Sequence, residues 1–265
     1  RNNLPGGILV KILLMMVYIV NYTQPVIKIF NDINELADEF TFEFISEINF
    51  LLEKKDKVNV AFSGGNTPKL FFQKLMLQKE KLNWNKIFLF WGDERCVPPN
   101  DPESNYGMTK EFLLDHIEIP DKNITRINGE NNPVDEAKRY SEIIKKTLPE
   151  INGLPSFEII ILGLGEDGHT ASIFPDQMEL LNSKEICAEA FHPVTKQRRI
   201  TLTGSVINNS KKIFFLVSGK NKSYVVGNIF NNKGNYLKYP AYYIKPLNGE
   251  VVWYLDKEAS SELNN

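Results

Sequence analysis

The chain is short of the residues that most often build metal centres and disulfide frameworks: 2 cysteines and 3 histidines among 265 residues. Cys96 and Cys187 lie far apart, in no metal-ligand spacing, and read as free or buried thiols of a reducing compartment, the cytoplasm. His116, His169 and His192 are equally scattered, so no metal site is expected. A strong charge of either sign is also missing. The formal net charge is -2, and the nearest thing to a basic run is the doublet Lys211–Lys212. That argues against nucleic acid as a partner but leaves room for a local anion site. No uninterrupted apolar run reaches the ~18–20 residues of a membrane span, and no membrane is expected as a partner. The most apolar stretch, Gly7–Val20, is broken by Lys11 and is followed by no small-x-small cleavage site. The chain opens without Met, which reads as a fragment or a processed chain. Residues 1–24 read as a targeting remnant, an apolar element added to the domain, or a foreign addition, with the second preferred.

What is present is ordinary for a globular protein: 42% hydrophobic and 24% charged residues, enough for a buried core. Val26–Phe30 alternates as a strand. Asp32 can cap the segment after it, where Ile33, Leu36, Ala37, Phe40, Phe44, Ile48, Leu51 and Leu52 form a helical stripe. "KVNVAFS" is a second strand, ending at Ser63-Gly64-Gly65, and Pro68 opens a helix. "KIFLFWGDE" is a third strand ending in charges, followed by helices over Tyr106–His116 and Pro133–Leu148. "FEIIIL" is a fourth strand whose continuous apolar run fits a sheet covered on both faces. "RRITLT" is a short strand or a helix entry. "KKIFFLVS" is a fifth strand, Gly219 leads into a helix through Phe230, and "VVWYL" is the last strand. Strands alternating with helices predict an α/β domain over 25–256, with a mostly parallel sheet flanked by helices on both faces. The tail at 257–265 is polar and reads as frayed or as a linker.

The polar, Gly-rich segments follow the apolar strands, and in open parallel sheets ligands bind at those carboxyl ends. "SGGNTP" (Ser63, Gly64, Gly65, Asn66, Thr67, Pro68) combines a glycine turn, two hydroxyls and a helix N-terminus. It suits a phosphate, and equally suits a structural turn with Thr67 as N-cap. Asp93, Glu94 and Arg95 read alone as a solvated cluster. Beside the glycine loop, Arg95 can pair with a phosphate and Asp93 can act as a base or hydroxyl acceptor. Lys220 and Lys222, and Arg198 and Arg199, are either exposed cations or ligand contacts.

"GLGEDGHTASIFP" presents two incompatible readings. Gly163, Gly165 and Gly168 spell G-x-G-x-x-G after a strand, the dinucleotide pattern. That pattern should open a helix and be followed by a strand ending in an acid ~20 residues on. Here Pro175 intervenes, and "DQMELLNSKE" leads to no clear apolar strand ending in an acid, Glu185 and Glu189 being poor candidates. The other reading is chemical. His169, two residues from Asp167, can take a proton from water near neutral pH, and the carboxylate can fix its tautomer. No G-x-S-x-G elbow is present, so water is the better nucleophile. His116 ends a helix, and His192 precedes Pro193 in a loop without a companion.

Taken together, "SGGNTP", "FWGDER" with its later "SNY", "GLGEDGHTASIFP" and "SGKNKS" resemble the 6-phosphogluconolactonases, in a superfamily shared with glucosamine-6-phosphate isomerases/deaminases. The resemblance runs from about Val26 to Leu255. It implies a Rossmann-like fold, no cofactor, and hydrolysis of 6-phospho-D-glucono-1,5-lactone to 6-phosphogluconate in the oxidative pentose phosphate pathway. His169 matches the family's base, and Asp93, Arg95 and Asp167 match active-site positions. The Ser63–Pro68 loop and Lys222 match the phosphate site, and Arg199 matches a substrate-contacting arginine. Some parasite members are fused to glucose-6-phosphate dehydrogenase, and the polar tail would suit such a fusion or association. The isomerase branch carries Glu five residues after the His, where this chain has Phe174. Isomerisation needs a carboxylate to move protons between carbons and lactone hydrolysis does not, so Phe174 favours the lactonase. A sugar-phosphate-binding module without catalysis is the remaining alternative.

Overall fold

The structure, a computed structural model, describes residues 24–246 and 248–263. The apolar stretch at 7–20 lies outside the described residues. Strands β1 (Val26–Phe30), β2 (Val58–Phe62), β3 (Ile87–Trp91) and β4 (Asp93–Arg95) come first. A two-residue-stranded hairpin, β5 (Glu150–Ile151) and β6 (Leu154–Pro155), precedes β7 (Ile159–Leu162). Then come β8 (Cys187–Phe191), β9 (Arg198–Leu202), β10 (Lys212–Val217) and β11 (Glu250–Asp256). The helices are α1 (Ile33–Leu52), α2 (Asn66–Met76), α3 (Asn105–Phe112), α4 (Pro133–Thr147), α5 (Gly204–Ile207) and α6 (Ser223–Asn231).

Six strands form one parallel sheet in the order β1-β11-β10-β7-β2-β3, flanked by helices. Every residue of β2 and β7 is buried, as their apolar runs require. Helix α1 begins where Asp32 accepts from Asn34 N (2.8 Å) and Glu35 N (3.0 Å), a cap that contributes about 1 kcal/mol. Its apolar stripe buries Leu36, Phe40, Phe44 and Ile48 completely. Phe40 meets Phe71, Phe214 and Tyr254 edge-on, with centroids 4.7, 5.1 and 5.1 Å apart, which ties α1 to α2 and the sheet.

The chain order reverses between β2 and β7, so their carboxyl ends open a crevice at a topological switch point. Ser63 Oγ donates to Ile161 O (2.8 Å) across those two strands and fixes its floor.

Three features differ from the sequence reading. Asp93–Arg95 is not the end of the third strand. At Gly92, whose N–H donates to Phe62 O (2.8 Å) and whose carbonyl accepts from Leu202 N (2.7 Å), the chain leaves the parallel sheet. It enters a separate antiparallel sheet ordered β4-β9-β8. The segment after "DQMELLNSKE" forms a strand, β8, which ends in Phe191 rather than an acid and shows no apolar pattern because only Cys187 and Ala190 of "CAEAF" are buried. The tail also turns back over its described part. Asp256 accepts from Gly219 N (2.9 Å) and Ala259 N (2.7 Å), Ala259 is buried, and Lys220 Nζ donates to Ser261 Oγ (2.8 Å).

Candidate active site

A cavity of about 450 Å³ opens at the switch point. It is lined by Ser63, Gly64, Gly65, Asn66 and Thr67 from the end of β2, by Asp93, Arg95 and Arg199 from the small sheet, and by His169 and Lys222 from the ends of β7 and β10. All the residues nominated from sequence therefore converge here except Asp167, which is not in the lining but is hydrogen-bonded to His169.

The glycine loop is built differently from the expectation at two points. Gly65, not Thr67, is the N-cap of α2, and no side chain caps this helix. The hydroxyls are already engaged: Ser63 with Ile161 O, and Thr67 Oγ1 with Ser218 Oγ at 2.8 Å. The first bond of the helical ladder runs from Lys69 N to Gly65 O (3.0 Å), so the Asn66 and Thr67 N–H groups ahead of it are helix-start donors without a partner among the described residues, on residues that line the cavity. Gly64 allows Asn105 to approach: a Cβ there would lie 1.8 Å from Asn105 Oδ1.

The small sheet adds the cations. Antiparallel register sets Arg95 opposite Arg199. Like charges in that position repel, and neither buried Nε has a hydrogen-bond partner among the described residues, so an anion bound here would relieve both costs. Burial holds the Arg199 guanidinium below the usual arginine range, and Arg95 adds to this while Asp93 opposes it. Strand alternation turns the neighbouring Arg198 outward, onto Glu189. Asp93 is buried; its Oδ2 accepts from Ser172 Oγ (2.7 Å) and its backbone carbonyl from Asn105 Nδ2 (2.9 Å). Glu94 points away and accepts from Ser104 Oγ, Asn105 N and Tyr106 N at 3.0, 2.7 and 2.8 Å, holding the start of α3.

Lys220 is tied to Ser261, whereas Lys222 lines the cavity, and burial pushes its ammonium below the ordinary lysine value against the pull of Glu166 and Asp167. Asn221 Nδ2 donates to Glu166 Oε1 (2.6 Å), joining the loops that follow β10 and β7.

The "GLGEDGH" turn opens no helix. After His169 comes a small bridge, Thr170 to Ile173, and Thr170 Oγ1 donates to Gly163 O (2.9 Å). The helix N-terminus that a pyrophosphate needs is therefore not built on this turn. The turn instead holds a hydrogen-bonded pair: His169 Nδ1 lies 2.6 Å from Asp167 Oδ1, which also accepts from His169 N at 3.1 Å. Burial raises the Asp167 pKa, but the bonds and charge of His169 outweigh it and hold the carboxyl below its ordinary 3.8. With an ionised acceptor on Nδ1, the neutral ring carries its proton there and leaves the Nε2 lone pair free. Gly165 is what lets the pair form, since a Cβ at that position would lie 2.1 Å from His169 Nδ1 and 2.5 Å from Asp167 Oδ1.

Sequence reading missed Asn105, Ser218 and Asn221 in the cavity wall and Ser172 behind it. Asn105 carried a signal, its place in "SNY" after the charged strand. In sequence His192 has no companion, yet its ring packs on Phe174 beside His169. Burial pushes the Cys96 and Cys187 thiols up to about 11 and about 12, so neither supplies a thiolate nucleophile. Among the described residues no group of three His, Cys, Asp or Glu side chains could hold a metal, and no helix is long and apolar enough to cross a membrane.

Comparison with known proteins gives concordant matches. The model of the family described as glucosamine-6-phosphate isomerases/6-phosphogluconolactonase matches residues 31–253. The 6-phosphogluconolactonase of Haemophilus influenzae is 42% identical over 229 residues, 86% of this chain and 93% of that protein. Among solved structures, the devB protein superposes with a TM-score of 0.85 at 35% identity, covering 91% of this chain and 100% of the other. The 6-phosphogluconolactonase of Trypanosoma brucei gives 0.81 at 28% identity, over 91% and 99% of the two chains.

Proposed function

The chain belongs to the glucosamine-6-phosphate isomerase/6-phosphogluconolactonase family, and we infer that its activity is the lactonase one. It hydrolyses 6-phospho-D-glucono-1,5-lactone to 6-phosphogluconate. The observation that carries the assignment of roles is the His169–Asp167 pair, 2.6 Å apart, beside a cavity walled by two unpartnered arginine Nε groups.

The phosphate sits on the Gly64–Thr67 loop, where helix-start N–H groups, Arg95 and Lys222 all favour a dianion. Arg199 contacts the remainder of the substrate. His169 Nε2 takes a proton from water as the water oxygen bonds to C1, and Asp167 stabilises the imidazolium that results. N–H donors of the cavity wall stabilise the tetrahedral oxyanion. Its collapse breaks the bond from C1 to the ring oxygen, which takes the proton back from His169. The carboxylic acid product then ionises to solvent. Phe174 covers one face of His169, centroids 4.7 Å apart, where a proton-shuttling carboxylate would be needed for isomerisation.

The two free thiols suit a reducing compartment, and the cytoplasm is the setting this reading adopts. Fusion to, or association with, glucose-6-phosphate dehydrogenase is carried by the resemblance alone. A coupled assay tests the function. Product should form above the spontaneous opening of the lactone, and His169→Ala should lose about 100-fold or more of that excess. Ammonia release from glucosamine 6-phosphate should be absent. Wild-type activity in His169→Ala would remove the histidine from its role, and deamination without lactone hydrolysis would move the chain to the other branch.

A further inference from the structure

His192 stands beside the site without a part in the chemistry above. It lies in the turn between β8 and β9, and its ring meets Phe174 edge-on, centroids 5.4 Å apart. Phe174 also carries the His169 ring, at 4.7 Å and 49° between planes. Phe174 is fully buried, so in a close-packed interior it cannot shift without disturbing one of its two neighbours. The Cβ–Cγ bond and the hydrogen bond to Asp167 hold two points of the His169 ring and leave its tilt about the line between them to packing. The orientation of the ring plane must come from packing, and Phe174 is the aromatic ring packed against it.

His192 is itself held. Its Nδ1 accepts from Val194 N (3.3 Å) and Thr195 N (3.2 Å), so the neutral ring keeps its proton on Nε2. Protonating Nδ1 would break both turn bonds. Burial and the charges of Arg199, His169 and Arg95 also push its pKa below the ordinary value, against the opposing pull of Asp167. His192 is thus an uncharged, fixed ring at the back of Phe174.

Resting on the lactonase reading, we propose that His192 is a positioning residue: through the aromatic column His192–Phe174–His169 it sets the plane of the base so that Nε2 meets the attacking water. Sub-ångström loss of alignment at a reacting group lowers turnover without weakening binding elsewhere in the substrate.

The two properties of His192 can be separated. His192→Phe keeps the ring and loses the Nδ1 acceptor, whereas His192→Asn keeps a turn acceptor and loses the ring. Steady-state kinetics of lactone hydrolysis, corrected for the spontaneous rate, should show kcat about 10-fold lower in His192→Asn and His192→Ala, with KM within about 2-fold. His192→Phe should keep kcat within about 2-fold of wild type. Thermal melts identify any variant unfolded at the assay temperature, and His192→Tyr replaces the Phe variant if that one fails. Rescue by Asn and not by Phe would assign His192 to the turn alone and overturn the proposal. Unchanged kcat in all variants, or a rise confined to KM, would overturn it too. An inactive wild type would sink the lactonase reading, and the proposal with it; an active wild type with any of the other patterns sinks the proposal alone.

Discussion

The six-stranded sheet reaches the cavity from the loops beyond its strands: helix-start N–H groups after β2, His169 on a turn after β7 whose shape depends on Gly165, and Lys222 after β10. The three-stranded sheet reaches it with side chains, Asp93, Arg95 and Arg199, set by the register of β4 against β9. A parallel sheet buried on both faces has apolar side chains along its strands, so its polar contribution comes where the strands stop. A short antiparallel sheet with alternating faces can turn one charged residue inward and its neighbour outward, as Arg199 and Arg198 show. Loops of the first kind should be sensitive to an added methyl group as well as to the loss of a side chain, and the short sheet mainly to the loss of a single side chain.

The sharpest break is Gly165→Ala. The new Cβ falls within 2.5 Å of both His169 Nδ1 and Asp167 Oδ1, and the side-chain ends can yield only by separating. We expect kcat to fall about 100-fold while KM stays within about 3-fold, measured by the coupled assay. An equal fall in a His169→Ala background would show that the methyl acts elsewhere. Arg199→Met tests the other sheet. Losing a charge-assisted hydrogen bond of about 1.5–3 kcal/mol should raise KM about 10- to 100-fold. Its melting temperature should hold or rise, because a buried cation without a partner on Nε is removed. A large loss of stability would mean that Arg199 holds the sheet rather than the substrate.

The smallest effect is in the pH dependence of stability. Asp167 in the folded chain titrates below its ordinary 3.8, so between those two values the unfolded chain binds more protons than the folded one. Its contribution is present in full above the ordinary value and is lost as pH falls through the folded value. Denaturant titrations of wild type and Asp167→Asn should differ above the ordinary carboxyl value, and the curves should converge as pH falls below 3.8. A gap that widened in acid would reverse the sign and remove the pairing as its cause.

Most of the parallel sheet was legible because its strands are short apolar runs closed by glycine turns, and α1 because its stripe and its Asp32 cap are local patterns. The Asp167–His169 pair was legible for the same reason, since two residues separated by one glycine are brought together by backbone torsions alone. The small sheet was not. Asp93 pairs with Thr201, and nothing within β4 announces a partner so distant in sequence; β8 and β9 form a hairpin, but β8 buries only Cys187 and Ala190 and so carries no strand pattern. The hydroxyls of Ser63 and Thr67 were assigned to a ligand because sequence shows a donor but not the carbonyl or hydroxyl already waiting for it.

By itself the sequence determined where the turns fall, that a base and a carboxylate share one of them, and that cations stand at several strand ends, because these follow from residue type and short-range backbone geometry. Only the tertiary structure decided that Arg95 faces Arg199, that Lys222 rather than Lys220 enters the cavity, and that Phe174 lies between His169 and His192. Those depend on strand register and core packing, which are set by burial over the whole chain and leave no mark in any one stretch of it.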